Sequence, residues 1–158
     1  MLQDVARRLD DFVIAQNLEA RAEGLPLLRP CVIKLLGQRA LMESRVSLGL
    51  AATKDVDVFA DYEFSVEREF RRLLAGEGLE LDPLGREIWM PAETKYEPLF
   101  KGRFVTLLVA DADAVLLSKG LKAPRKNGPL LTEYLARGAS PRFLKLARKY
   151  GLDLEQFV

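Results

Sequence analysis

Two aspartates one residue apart, Asp55 and Asp57, lie in the segment Thr53-Lys54-Asp55-Val56-Asp57-Val58. On an extended chain side chains alternate between faces, so both carboxylates leave from the same side. Carboxylates paired in this way can share a hard divalent cation. Mg²⁺ held by one or two carboxylates keeps coordination sites free for phosphate oxygens and neutralises charge during phosphoryl or nucleotidyl transfer. Upstream, the turn Leu36-Gly37-Gln38-Arg39 separates an apolar run from a run of helix formers. A glycine there lets backbone approach a phosphate and aims helix N-terminal amides at it. Activating an acceptor hydroxyl calls for a further carboxylate, as base or second metal ligand, on a neighbouring strand. Glu87, in Arg86-Glu87-Ile88-Trp89-Met90, is the candidate, with a cross-strand ion pair as its alternative use.

Composition narrows the chemistry further. The 158 residues contain no histidine, which removes the Ser-His-Asp triad, the Cys-His pair, the imidazole zinc site and the imidazole general base. Carboxylates, lysines or a metal must carry any catalysis. The single cysteine, Cys31, sits in the apolar run Cys31-Val32-Ile33-Lys34-Leu35-Leu36 and reads as a small buried side chain. Lys and Arg total 24 against 23 Asp and Glu, so no global basic field advertises nucleic acid. The basic segment 119–126 is either a local contact for RNA phosphates or a solvated helix end. No run approaches the roughly 20 apolar residues of a membrane span, and the N-terminus lacks a signal-peptide core. A cytoplasmic protein with no membrane partner is expected.

The elements that must position these residues follow from periodicity. Val5, Leu9, Phe12 and Val13 predict an amphipathic helix over 4–17. Residues 32–36 predict a buried strand between Pro30 and Gly37, residues 38–48 a helix stopped near Gly49, and residues 56–60 a second strand. Val66, Phe70 and Leu73 mark a helix over 65–74. The pattern of 79–81, a turn at 82–85 and the run 87–90 predict a hairpin that carries Glu87. Residues 104–109 predict another strand, then a helix capped by Asp111 or Asp113. Short helices over 128–135, 140–150 and 152–157 close the chain. Trp89, Tyr96 and Phe100 either line a pocket or pack beside the hairpin.

Apolar strand, glycine turn, helix and Asp-Val-Asp strand together resemble the core motif of the DNA polymerase beta-like nucleotidyltransferase superfamily. More narrowly, Thr53-Lys54-Asp55-Val56-Asp57 and the later Leu116-Leu117-Ser118-Lys119 resemble the small AbiEii-like bacterial nucleotidyltransferases, a group that includes toxin components of toxin-antitoxin pairs. The resemblance covers residues 31 to about 138. It implies Asp55 and Asp57 as Mg²⁺ ligands, Gly37, Gln38 and Thr53 at the nucleotide, and Lys119 at the nucleotide or the catalytic centre. Three positions depart from the family pattern: Gln38 replaces a small residue, Ala51 an arginine, and Asn127 an acid.

The expectation is therefore one α/β (α+β) domain over 1–158, a small mixed sheet flanked by helices, with a core over about 31–110 and a helical part over about 111–158. Its expected activity is Mg²⁺-dependent transfer of a nucleoside monophosphate from an NTP to an RNA or protein acceptor. Asp55, Asp57, Glu87 and Lys119 would be the catalytic residues. The alternative is a degenerate, non-catalytic relative that binds a cognate antitoxin or a second copy of itself.

Overall fold

The computed structural model describes residues 1–44 and 46–158. It is a mixed α/β structure of six α-helices and one five-stranded sheet, as the periodicities predict. The elements run α1 (Leu2–Glu23), β1 (Cys31–Leu36), α2 (Gly37–Glu43), β2 (Asp55–Ala60), α3 (Phe64–Gly76) and β3 (Glu80–Leu81). A 3₁₀ turn (Gly85–Glu87), β4 (Tyr96–Lys101), β5 (Val105–Ala110), α4 (Ala112–Lys122), α5 (Gly128–Ala136), α6 (Pro141–Tyr150) and a final 3₁₀ turn (Leu154–Phe157) follow. Strand order is β3-β2-β1-β5-β4. The central β1 runs antiparallel to β2 and parallel to β5, β2 is parallel to β3, and β4 is antiparallel to β5.

Alternation divides the sheet into two faces. Ile33, Leu35, Val56, Val58, Val105 and Leu107 project into the core beneath α1 and α3, whose Val5, Leu9, Val13, Val66, Phe70 and Leu74 are also buried. Cys31 shares that face and is buried, with burial pushing its thiol up to about 11, so it is an inert apolar side chain. On the opposite face Val32 and Phe59 stay 46% and 48% exposed. Lys34 there lays its ammonium over the Tyr96 ring at 4.8 Å.

Three predicted segments differ. The helix expected over 38–48 ends at Glu43, because the Ser44 hydroxyl donates to the Leu41 carbonyl and accepts from the Val46 amide, turning the chain out. Arg45, within that predicted helix, lies outside the described residues. The chain beyond is held at a distance in sequence: Gly49 N–H donates to both carboxylate oxygens of Glu133 on α5, at 3.0 and 3.2 Å. The hairpin expected over 79–90 does not form. β3 pairs in parallel with β2, and the chain then crosses β2 through the 3₁₀ turn, so Glu87 lies on no strand. Conversely β4 was masked by Pro98, which is tolerated because β4 is an edge strand with a register shift between Pro98 and Phe100.

Asp10 on α1 ties helix to sheet. Its carboxylate is 6% exposed and accepts from the amides of Arg103, Phe104 and Val105 at 3.1, 2.8 and 3.0 Å, closing the β4–β5 turn. Asp10→Ala strands three inward-facing donors. It is expected to cost about 3 kcal/mol, read as a fall in the urea midpoint with unchanged m-value; a shift within error would refute this role.

Candidate active site

Two strand registers converge on Asp57. In the antiparallel β1–β2 pair Leu36 lies opposite Asp57, which brings the next residue, Gly37, beside the aspartate. In the parallel β2–β3 pair Asp55 and Val56 face Glu80 and Leu81, and the Asp82 amide continues the ladder to the Val56 carbonyl at 3.0 Å. Asp82 therefore flanks Asp57 from the other side. The Asp82 carboxylate is near enough to raise the Asp57 carboxyl above its ordinary value.

Glycines make room for this. Gly37 has φ +63, and a Cβ there would overlap the Asp57 carboxylate. Gly85 presses on the β2 backbone, where a Cβ would lie 2.9 Å from the Val58 nitrogen and 3.1 Å from Asp57 Cα. The chain after Asp82 crosses over β2 only because residue 85 has no side chain. Asp82 also organises its own turn, its carboxylate accepting from the Leu84 amide at 2.9 Å.

These residues form one wall of a cleft of about 190 Å³ whose other wall is α4 and the chain after it, with Lys119, Lys122 and Lys126 lining it. Lys119 is half-buried. Its ammonium is held below the usual range by burial, an effect that the Asp57 charge opposes and that Lys126 and Lys122 reinforce. Asp57 is pushed up to about 6, chiefly by burial and then by Asp82, with Lys119 pulling the other way and Asp55 adding repulsion. A pair of acids and a trio of lysines across one cleft suits a ligand carrying both cation and phosphates.

Mg²⁺ takes one or two carboxylates and completes its shell with water and phosphate oxygens, and Asp57 with Asp82 offers that donor set. Among the described residues no three carboxylate or thiol groups converge as an all-protein metal cage. The pair fits a hard, ligand-sharing cation better than a structural one.

The structure brings together only some of the residues singled out by sequence. Gly37, Asp57 and Lys119 line the cleft. Asp55 shares a strand face with Asp57 and is close enough to act on its charge, but it is exposed and outside the cleft lining. Thr53 accepts the Asp55 amide at 3.1 Å and shapes the entry to β2. Gln38 turns from the cleft to donate to the Ala51 carbonyl at 3.1 Å. Asn127 lines the cleft and ties off α4, donating to the carbonyls of Lys119 and Ala123 at 3.0 and 3.1 Å. Glu87 is not the third carboxylate: it is exposed on the 3₁₀ turn and lines a neighbouring recess with Trp89. Tyr96 and Phe100 lie on β4, away from Trp89, whose ring meets Tyr150 edge-to-face at 5.2 Å. Asp82 was hidden because Asp82-Pro83-Leu84-Gly85 reads as a plain turn; the available signal was an acid directly after an apolar-alternating pair, Glu80-Leu81.

Comparison with family models, with curated proteins and with solved structures finds no match, so the site is read from its own geometry.

An acid whose folded value lies above its ordinary 3.8 loses its proton later in the native state than in the unfolded chain. Between about pH 4 and pH 6 the contribution of Asp57 to the stability of the metal-free protein thus falls as pH rises. Asp57→Asn removes the buried charge and is expected to raise Tm at pH 7.5. After discounting for solvent screening the gain is about 1 kcal/mol, roughly 3 °C. Calorimetric melts at pH 4 and 7.5 test this, and equal shifts at both pH values would rule out a charge effect.

Proposed function

We propose that the protein is a metal-dependent nucleotidyltransferase, moving a nucleoside monophosphate from an NTP to an acceptor. The observation that carries this reading is the opposition of Asp57 and Asp82 to Lys119, Lys122 and Lys126 in one cleft, with Gly37 against the Asp57 carboxylate. The mixed sheet and the apolar strand, glycine turn, helix and Asp-Val-Asp strand support it, as does the resemblance to the AbiEii-like group.

In this reading Asp57 and Asp82 hold Mg²⁺, with Asp55 contributing charge from the strand end. The ion would neutralise triphosphate oxygens as charge develops on them. The lysines bind the β- and γ-phosphates and meet the negative charge of the departing pyrophosphate. An acceptor oxygen attacks the α-phosphorus in line, the bond from that phosphorus to the bridging oxygen breaks, and the acceptor proton passes to a carboxylate or to water. Catalysis would come from position and charge, which a chain without histidine can supply.

The geometry of the departing residues bears on the non-catalytic alternative. Gln38 does not crowd the cleft, because its amide is engaged by Ala51, and Asn127 has the structural task of closing α4. Neither blocks a triphosphate.

NTPs labelled in turn at the α- and γ-phosphate, incubated with Mg²⁺, protein and fractionated cellular RNA and protein, test the assignment. Label is expected on the acceptor from the α position only, with Asp57→Asn or Asp82→Asn reducing transfer by about 10³-fold or more. Lys119→Met is expected to weaken NTP binding by about tenfold or more. Transfer from the γ position would make the protein a phosphotransferase, and Mg²⁺-dependent binding without transfer would make it a binding module. Because Mg²⁺ competes with the proton that burial favours on Asp57, its apparent affinity is expected to fall about tenfold per pH unit below about pH 6; a flat profile by calorimetry would exclude Asp57 as a ligand.

A further inference from the structure

Beside the charged cleft lies a second recess of about 480 Å³, lined by Glu87, Trp89, Ser118, Leu121, Lys122 and Tyr150. Its character is different: an indole, a phenol ring and a leucine make its walls, with one acid and one lysine at the rim. Trp89 is 46% exposed and is held from behind, edge-to-face with Tyr150 at an interplanar angle of 72°. The Ser118 hydroxyl donates to the Trp89 carbonyl at 2.5 Å, fixing the strand-like segment that carries the indole against α4. A large aromatic side chain left half in solvent, yet clamped through its backbone and its ring, is a preorganised flat platform.

The two hollows adjoin. Ser118 and Lys122 line both, and Lys119 and Lys122, three residues apart on one helix, stand on adjacent turns of α4. A ligand bridging them would have a planar, largely apolar end and a polyanionic end, which is the chemistry of a nucleotide.

We propose that this recess is the base subsite of the same site: the nucleobase stacks on Trp89 over Leu121 and Tyr150, and Glu87 accepts N–H groups from the base edge. This rests on the nucleotidyltransferase reading above. A carboxylate has acceptors on two oxygens and no donor, so it is best matched by guanine, whose N1–H and N2–H lie side by side, rather than by adenine or cytosine with a single amino group at that edge. Glu87, expected from sequence to serve the reaction, becomes a specificity residue for the base.

Trp89 is the only tryptophan in the chain, so its fluorescence reports on this recess alone. Guanosine, adenosine, cytidine and uridine, excited at the red edge of the indole band, probe the recess without phosphates; Mg²⁺-tripolyphosphate, followed by calorimetry, probes the cleft without a base. Saturable quenching is expected from nucleosides, with guanosine half-saturating at the lowest concentration. Glu87→Gln, at an exposed position that leaves the fold intact, is expected to weaken guanosine about tenfold while leaving tripolyphosphate unchanged. Quenching by nucleosides equally in Glu87→Gln and the native chain overturns the role of Glu87. No quenching by any nucleoside while Mg²⁺-tripolyphosphate still binds overturns the base subsite and leaves the cleft reading standing. Failure of both probes overturns both.

Discussion

A carboxylate pressed onto a glycine organises this molecule. Asp57 projects from β2 into the space where Gly37 would carry a side chain, and its carboxylate is half-buried beside that of Asp82. Such packing specifies several things at once. Residue 37 must adopt φ +63 and have no Cβ, β1 and β2 must be in the register that sets Leu36 against Asp57, and the chain after β3 must pass over β2 at Gly85. Two acids held together against burial cost stability that a compact fold of this size recovers elsewhere. A cation or a proton at Asp57 would relieve the repulsion between the two acids.

The opposing wall depends on the C-terminal helices, and polar contacts set their position as firmly as apolar ones. The Asp111 side chain caps α4 by accepting from the Ala114 amide at 3.2 Å, and it also receives Arg142 from α6. Arg142 reaches the Glu93 carbonyl at 2.8 Å, while Tyr134 and Ser140 donate to Asp113 at 2.6 and 2.8 Å. α4 is thereby locked at its N-terminus to α5, α6 and the segment before β4, and at its C-terminus by the Asn127 amide. Lys119 sits on the helix so fixed and can stand half-buried across from Asp57 without a direct ion pair among the described contacts. Because each group of this network bonds to more than one partner, the lysine wall is placed by a connected unit, not by one interaction.

Much of this framework follows from local chemistry and is legible in the sequence. Short apolar runs place β1, β2 and β5, and period 3.6 places α3, α4 and α6 within a few residues of their ends, while α1 runs six residues past the predicted end at Asn17 to Glu23. Asp57 and Gly37 are identifiable for the same reason, a spacing of two along a strand and a glycine at a strand-helix junction, whereas Lys119 was indicated only by the resemblance of Leu116-Leu117-Ser118-Lys119 to the family's later helix. The segments that resist are those whose conformation is set by distant partners. Residues 46–48 look like the end of a helix until Glu133 takes the Gly49 amide, and β4 looks broken at Pro98 until its place on the sheet edge removes the need for that donor.

The third acid separates the two levels most sharply. In a chain lacking histidine, composition leaves carboxylates, lysines or a metal to carry any catalysis, and the Asp-x-Asp spacing singles out Asp55 and Asp57. Which acid lies beside Asp57 was decided by tertiary structure alone. Glu87 has the expected strand-like neighbours and Asp82 those of a turn, yet the parallel pairing of β3 with β2 carries Asp82 to Asp57 and sends Glu87 to the aromatic recess. Side-chain alternation is a property of one strand and can be read from it, whereas adjacency between strands depends on pairing direction and register, which are set by the packing of the whole core.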